Sequence, residues 1–114
     1  MPYIDLKTNA MITKTAEAGL SSFFARALES CFPGKTERWL MVNIEGNRAM
    51  YFGGKDAKCA MVSVDILGEQ RKSSYEKMTG MICDVLSSEL KIDPDRIYIK
   101  YSEYDKWGWN GSNF

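Results

Sequence analysis

No histidine occurs anywhere in these 114 residues, and that absence narrows the chemistry more than any residue that is present. It removes Ser-His-Asp and Cys-His catalysis together with most metal sites. Acid–base work near neutral pH is left to a shifted carboxylate, lysine or thiol, or to the α-amino group. Cysteine is scarce too: Cys31, Cys59 and Cys83 are odd in number and far apart, with no C-x-x-C. Such spacing argues against a disulfide scaffold, a zinc knuckle or a redox pair, and the three read as small buried hydrophobes. No metal and no cofactor are expected. Excess charge is also missing, since 15 basic and 15 acidic residues cancel. That balance points away from nucleic acid or an anionic membrane as partner. No run of about 18 apolar residues exists, so no transmembrane helix is expected. The amino-terminal stretch lacks the basic, apolar and small-residue succession of a signal peptide. The expectation is a cytoplasmic protein, with leaderless export as the alternative.

There are only three prolines, and one stands second, at the head of Met1-Pro2-Tyr3-Ile4-Asp5-Leu6. Proline has no N–H and is tolerated at the first residue of a strand. With Met1 retained, Pro2 is a stiff strand start. With Met1 removed, it becomes a secondary amine, and so a base.

The length suits one domain, residues 1–114, with 45% hydrophobic and 26% charged residues. Residues 2–7 alternate as a half-buried strand, with Ile4 and Leu6 on one face. Ala16, Leu20, Phe23, Phe24, Ala27, Leu28 and Cys31 have amphipathic helix spacing over residues 14–31, and Pro33-Gly34 stops it. Residues 39–44 read as a strand whose near-continuous apolar character suits cover on both faces.

The second half repeats the plan. Cys59 to Leu67 is a Val- and Ile-rich strand. Ser73-Ser74-Tyr75-Glu76 resembles a capping box before Met78, Ile82, Val85, Leu86 and Leu90 at helical spacing. Asp93-Pro94 closes that helix, and residues 97–101 form a strand. A shift of 58 places Ile4 on Val62 and Arg38 on Arg96. The reading is an α+β fold of two β-α-β repeats, about 1–57 and 58–114, forming a four-stranded mixed sheet with two helices on one face. The bare face and edges of such a sheet call for self-association.

Met1-Pro2, Gly34-Lys35, Phe52-Gly53-Gly54, Cys59-Ala60, Pro94-Asp95-Arg96-Ile97-Tyr98-Ile99 and the closing Trp107-Gly108-Trp109-Asn110-Gly111-Ser112-Asn113-Phe114 resemble macrophage migration inhibitory factor and its tautomerase relatives. The match runs in order along the whole chain. The resemblance implies a homotrimer whose sheets wrap a central channel. It implies keto–enol tautomerisation of aromatic 2-keto acids such as phenylpyruvate, and isomerisation of L-dopachrome. Pro2, freed by loss of Met1, is the implied catalytic base. Lys35 matches the lysine that meets the substrate carboxylate, although Thr36 replaces the proline that usually follows it. Leu67 falls on an isoleucine whose backbone contacts substrate, and Tyr98 on a pocket tyrosine from the neighbouring subunit. Lys100 replaces an asparagine that hydrogen-bonds substrate from that subunit. A lysine there either still donates to substrate oxygen, or turns to solvent, or alters which substrates fit.

Tyr3, Trp39, Trp107, Trp109 and Phe114 are the remaining candidate walls, because an aromatic substrate needs flat apolar surfaces with few polar groups. Val62 stands where signalling relatives carry the second cysteine of a C-x-x-C, so thiol–disulfide activity is not expected. Some family members are cytokine-like ligands for a receptor protein, which is the alternative function. Loss of enolisation with retained receptor binding in Pro2→Ala would separate the two roles.

Overall fold

The computed structural model describes residues 1–114. Strand β1 (Pro2–Thr8) leads into helix α1 (Lys14–Cys31), a 3-10 turn (Glu37–Trp39) and strand β2 (Met41–Glu45). The plan then recurs as β3 (Ala60–Leu67), helix α2 (Lys72–Leu90), a 3-10 turn (Pro94–Arg96) and β4 (Ile97–Tyr104). Both helices start 58 positions apart, at Lys14 and Lys72, and so do β1 and β3, at Pro2 and Ala60. A short hairpin of β5 (Gly108–Trp109) and β6 (Ser112–Asn113) ends the chain.

The four main strands lie in the order β2-β1-β3-β4. Each β-α-β unit pairs its own strands in parallel, and β1 meets β3 antiparallel, so the sheet is mixed. Strand alternation divides its faces. Ile4, Leu6, Val62, Val64 and Ile66 are fully buried in one core with Leu20, Phe24 and Leu28 of α1 and Met78, Ile82 and Leu86 of α2. Each such side chain contributes roughly 1.5–3 kcal/mol relative to exposure. Because the buried apolar strand residues belong to one alternation, both helices cover one face. The other face carries Tyr3, Asp5, Lys7, Asn43, Asp65, Tyr98 and Lys100, matched in register across the strands.

Several local expectations are corrected. Trp39 lies in the 3-10 turn, and β2 starts at Met41. That strand is an edge rather than covered on both faces. Its apolar run arises because Leu40, Val42 and Ile44 pack on the core, while Met41 points away and is 68% exposed. Ser73 and Glu76 form no capping box. Helix α2 begins a residue before Ser73, with Arg71 as an N-cap lacking any side-chain bond. The same helix ends at Leu90 with Lys91 in the left-handed conformation, so Asp93-Pro94 opens the next turn instead of closing the helix. β4 runs three residues past Tyr101. The hairpin at residues 108–113 was not anticipated, although Asn110-Gly111, both at positive φ, is a strong two-residue hairpin signal.

Candidate functional site

The amino terminus is tied to the end of β3. Pro2 is buried opposite Ile66, a strand-start position where a missing N–H costs no ladder bond. The next rung is made by Met1, whose carbonyl accepts from the Leu67 N–H at 3.1 Å. Leu67 offers its own carbonyl to the Lys35 ammonium, which donates to it at 3.0 Å. Lys35 is aimed there by a tight turn. Its N–H donates to the Phe32 carbonyl at 3.0 Å across Pro33-Gly34, and Gly34 adopts φ +84°. Proline followed by a positive-φ glycine is the signature of a type II turn.

This proximity changes the terminal amine. Burial, then the Lys35 charge, then the hydrogen bond from Lys35 all push the pKa of the Met1 amine below the ordinary α-amino value. A terminal amine here therefore carries a lone pair at lower pH than one in water.

Aromatic side chains gather beside this end of the sheet. Trp39 meets Trp109 edge-on with ring centroids 4.8 Å apart, and Trp109 stacks on Phe114 at 6.0 Å. Trp107 contacts Tyr104 at 5.8 Å, and its carbonyl accepts from the Phe114 N–H at 3.0 Å. A cleft of about 520 Å³ opens between Leu67-Gly68, the end of β4 and Phe114. Its rim also carries the carboxylates of Glu69, Glu103 and Asp105. Glu103 is held below the usual carboxylate range by the Tyr75 hydroxyl and the Gln70 N–H, both of which donate to it.

Within one chain, Pro2, Lys35 and Leu67 thus converge, with Trp39, Trp107, Trp109 and Phe114 nearby. Tyr3, Tyr98 and Lys100 lie elsewhere, on the open sheet face. Lys100 is in register with Ser63 and Tyr98 with Met61, against Ile66 for Pro2. At strand rise, Lys100 and Tyr98 are about 10 and about 17 Å from the Pro2 rung. Tyr98 instead packs on Phe52 at 4.8 Å in a separate groove. Lys100 joins a polar row whose centre is Asp5. Burial would raise the Asp5 pKa, but hydrogen bonds from Asn43 and Lys7 and the charges of Lys7 and Lys100 outweigh it and hold it low.

Tyr104 lines the cleft and was missed in the sequence. Polar Ser102-Glu103 hid the continuation of β4 that carries it. Period-2 spacing from Tyr98 would have found it.

No group of three His, Cys, Asp or Glu side chains is placed to hold a metal ion. No helix is long and apolar enough to cross a membrane.

The family model described as macrophage migration inhibitory factor (MIF) matches residues 1–114. The chain belongs to the MIF family. MIF of Mus musculus is 29% identical over 116 residues, covering 100% of this chain and 99% of the mouse protein. A MIF homolog of Brugia malayi is 32% identical over 123 residues, covering 100% of this chain and 99% of its own. Among solved structures, Leishmania major MIF2 superposes with a TM-score of 0.92 at 29% identity, covering 100% of this chain and 97% of that one. This MIF-family fold supports a potential for isomerase chemistry.

Proposed function

We propose that this MIF-family chain, once Met1 is removed, is a keto–enol tautomerase of aromatic 2-keto acids, with phenylpyruvate and L-dopachrome as substrates. The observation that carries the reading is the meeting of the chain terminus, the Lys35 ammonium and the Leu67 main chain at one end of the sheet. Met1 occupies that meeting point in two ways. Its carbonyl takes the Leu67 N–H, and its peptide bond ties up the Pro2 nitrogen as a non-basic amide. Removing it frees a donor and a base together.

The freed Pro2 nitrogen takes a proton from the carbon beside the ketone. Lys35 holds the substrate carboxylate, and the Leu67 N–H donates to a substrate oxygen. Charge builds on the enolate oxygen, and the protonated proline then returns its proton there, completing the tautomer. A positioned base of this kind contributes about 10² to 10⁴ in rate, and donors aimed at the enolate oxygen supply much of the remainder. The aromatic side chains around Trp109 and Phe114 hold the ring and exclude water. Tyr98 and Lys100 complete the pocket from a neighbouring copy in a homotrimer, since neither reaches its own Pro2.

The test is phenylpyruvate enolisation by protein whose intact mass shows Met1 absent. Such protein is expected to be active. Pro2→Ala is expected to lose at least about 10² in kcat/KM, and Met1-retaining protein to be inactive. Equal activity with and without Met1 overturns the proposal.

A further inference from the structure

The segment 50–58 belongs to no main strand, yet side chains from two distant places hold it. Arg96, in the turn before β4, donates to four main-chain carbonyls: Lys58 at 3.0 Å, Phe52 at 3.2 Å, Lys55 at 3.1 Å and Ala57 at 2.9 Å. Its guanidinium also lies over the Phe52 ring, 5.2 Å from the centroid. From the other side, the Asn9 amide donates to the carbonyls of Met50, Asp56 and Ala57 and accepts from the Cys59 N–H at 2.9 Å. Gly53 and Gly54, at φ +61° and +77°, close a two-residue hairpin in which Phe52 and Lys55 exchange both main-chain bonds.

What this clamp steadies is exposed. The Phe52 ring rests on Tyr98, and Tyr98 is 60% exposed. The pair lines an apolar groove of about 270 Å³. Interior packing does not need a guanidinium and an amide on a loop whose Tyr51 is exposed and whose half-buried Phe52 backs the exposed Tyr98. Pre-organisation of a contact surface does, because ordering those rings on association would otherwise oppose it.

We propose that Arg96 is a positioning residue. It fixes Phe52, and through Phe52 the ring of Tyr98, as the aromatic wall that one protomer presents to the substrate cleft of the next. This rests on the tautomerase reading above. A planar fork serving four carbonyls and one ring face is a task lysine cannot duplicate. A wall that grips the substrate ring acts on ground state and transition state alike, so its loss appears in KM rather than kcat.

Arg96→Met keeps an unbranched apolar side chain and removes all the donors together with the cation over Phe52. It is expected to raise KM for phenylpyruvate about tenfold with kcat within about twofold, and Arg96→Lys to fall between. Phe52→Leu leaves the carbonyl bonds alone and is expected to give the same KM effect, which covers the case of a misfolded Arg96 variant. The deciding measurement mixes Arg96→Met with Pro2→Ala and lets subunits exchange. If base and wall come from different copies, about a quarter of the sites regain both, and a phase of activity with wild-type KM returns. Wild-type KM in Arg96→Met and Phe52→Leu overturns the role of Arg96 alone, and no recovery on mixing while the wild type is active overturns it together with the shared pocket, leaving the tautomerase activity standing. A silent wild type with free Pro2 overturns the tautomerase reading and this inference with it.

Discussion

Lys35 acts on two groups at once. It donates to the Leu67 carbonyl and, after burial, is the next cause lowering the pKa of the Met1 amine. A base must be unprotonated to work, so a lowered pKa lets activity rise and level off at lower pH than an ordinary α-amine allows. With Met1 removed, the Pro2 amine becomes the terminus near Lys35, and kcat/KM of the wild type is expected to climb with pH through a midpoint below that of an ordinary N-terminal proline amine. In Lys35→Met the burial remains but the cation is gone, so the midpoint is expected to move upward while KM for the keto acid increases. A pH–rate profile with an unmoved acid limb would contradict the role of the charge. Little of this was legible in composition. The lack of histidine pointed to the α-amine, and Lys35 was named only through the family resemblance, because it is 33 residues away from Pro2, beyond any local pattern.

The two helices differ at their starts. Thr13 caps α1, its hydroxyl accepting from the Ala16 N–H at 3.1 Å, whereas Arg71 gives α2 no side-chain cap and sits at its positive dipole end. Arg71→Asp supplies both an acceptor and a favourable charge and is expected to add about 1 kcal/mol to unfolding free energy. Urea denaturation reads it, and an unchanged midpoint would sink the argument. Helix α1 was legible over residues 14–31 because its apolar spacing is strong and Pro33 ends it. The start of α2 was misplaced because Ser73 and Glu76 have the right residue types for a capping box but lie inside the helix, where Glu76 pairs with Lys72 at 4.0 Å. A residue's type names its candidate roles, and the backbone conformation at Arg71 selects among them.

At the scale of the molecule, the sheet leaves one face and both outer strands uncovered. Tyr51, Met41 and Tyr98 are exposed by 73%, 68% and 60%. The polar row around Asp5 makes the open face one that water or another copy's polar groups can meet, while the apolar residues at its margins favour protein contact. Sedimentation equilibrium is expected to give three times the 13.0 kDa chain mass. A monomer at micromolar concentration would leave Tyr98 and Lys100 without a cleft to complete, and the shared site would fail.

Local order followed from residue pattern: alternation along β1 and β3, the 3.6-residue spacing of α1, and the recurrence of the whole plan after 58 positions. These are properties of neighbours in the chain, so periodicity reveals them. Which chemistry-bearing groups meet is a different matter, because it depends on strand register and on the turn at Pro33-Gly34. Antiparallel pairing of β1 with β3 brings the Met1 carbonyl to the Leu67 N–H, and the turn then swings Lys35 onto the Leu67 carbonyl. The same register separates Tyr98 from Pro2 along the sheet, a division that no linear spacing expresses.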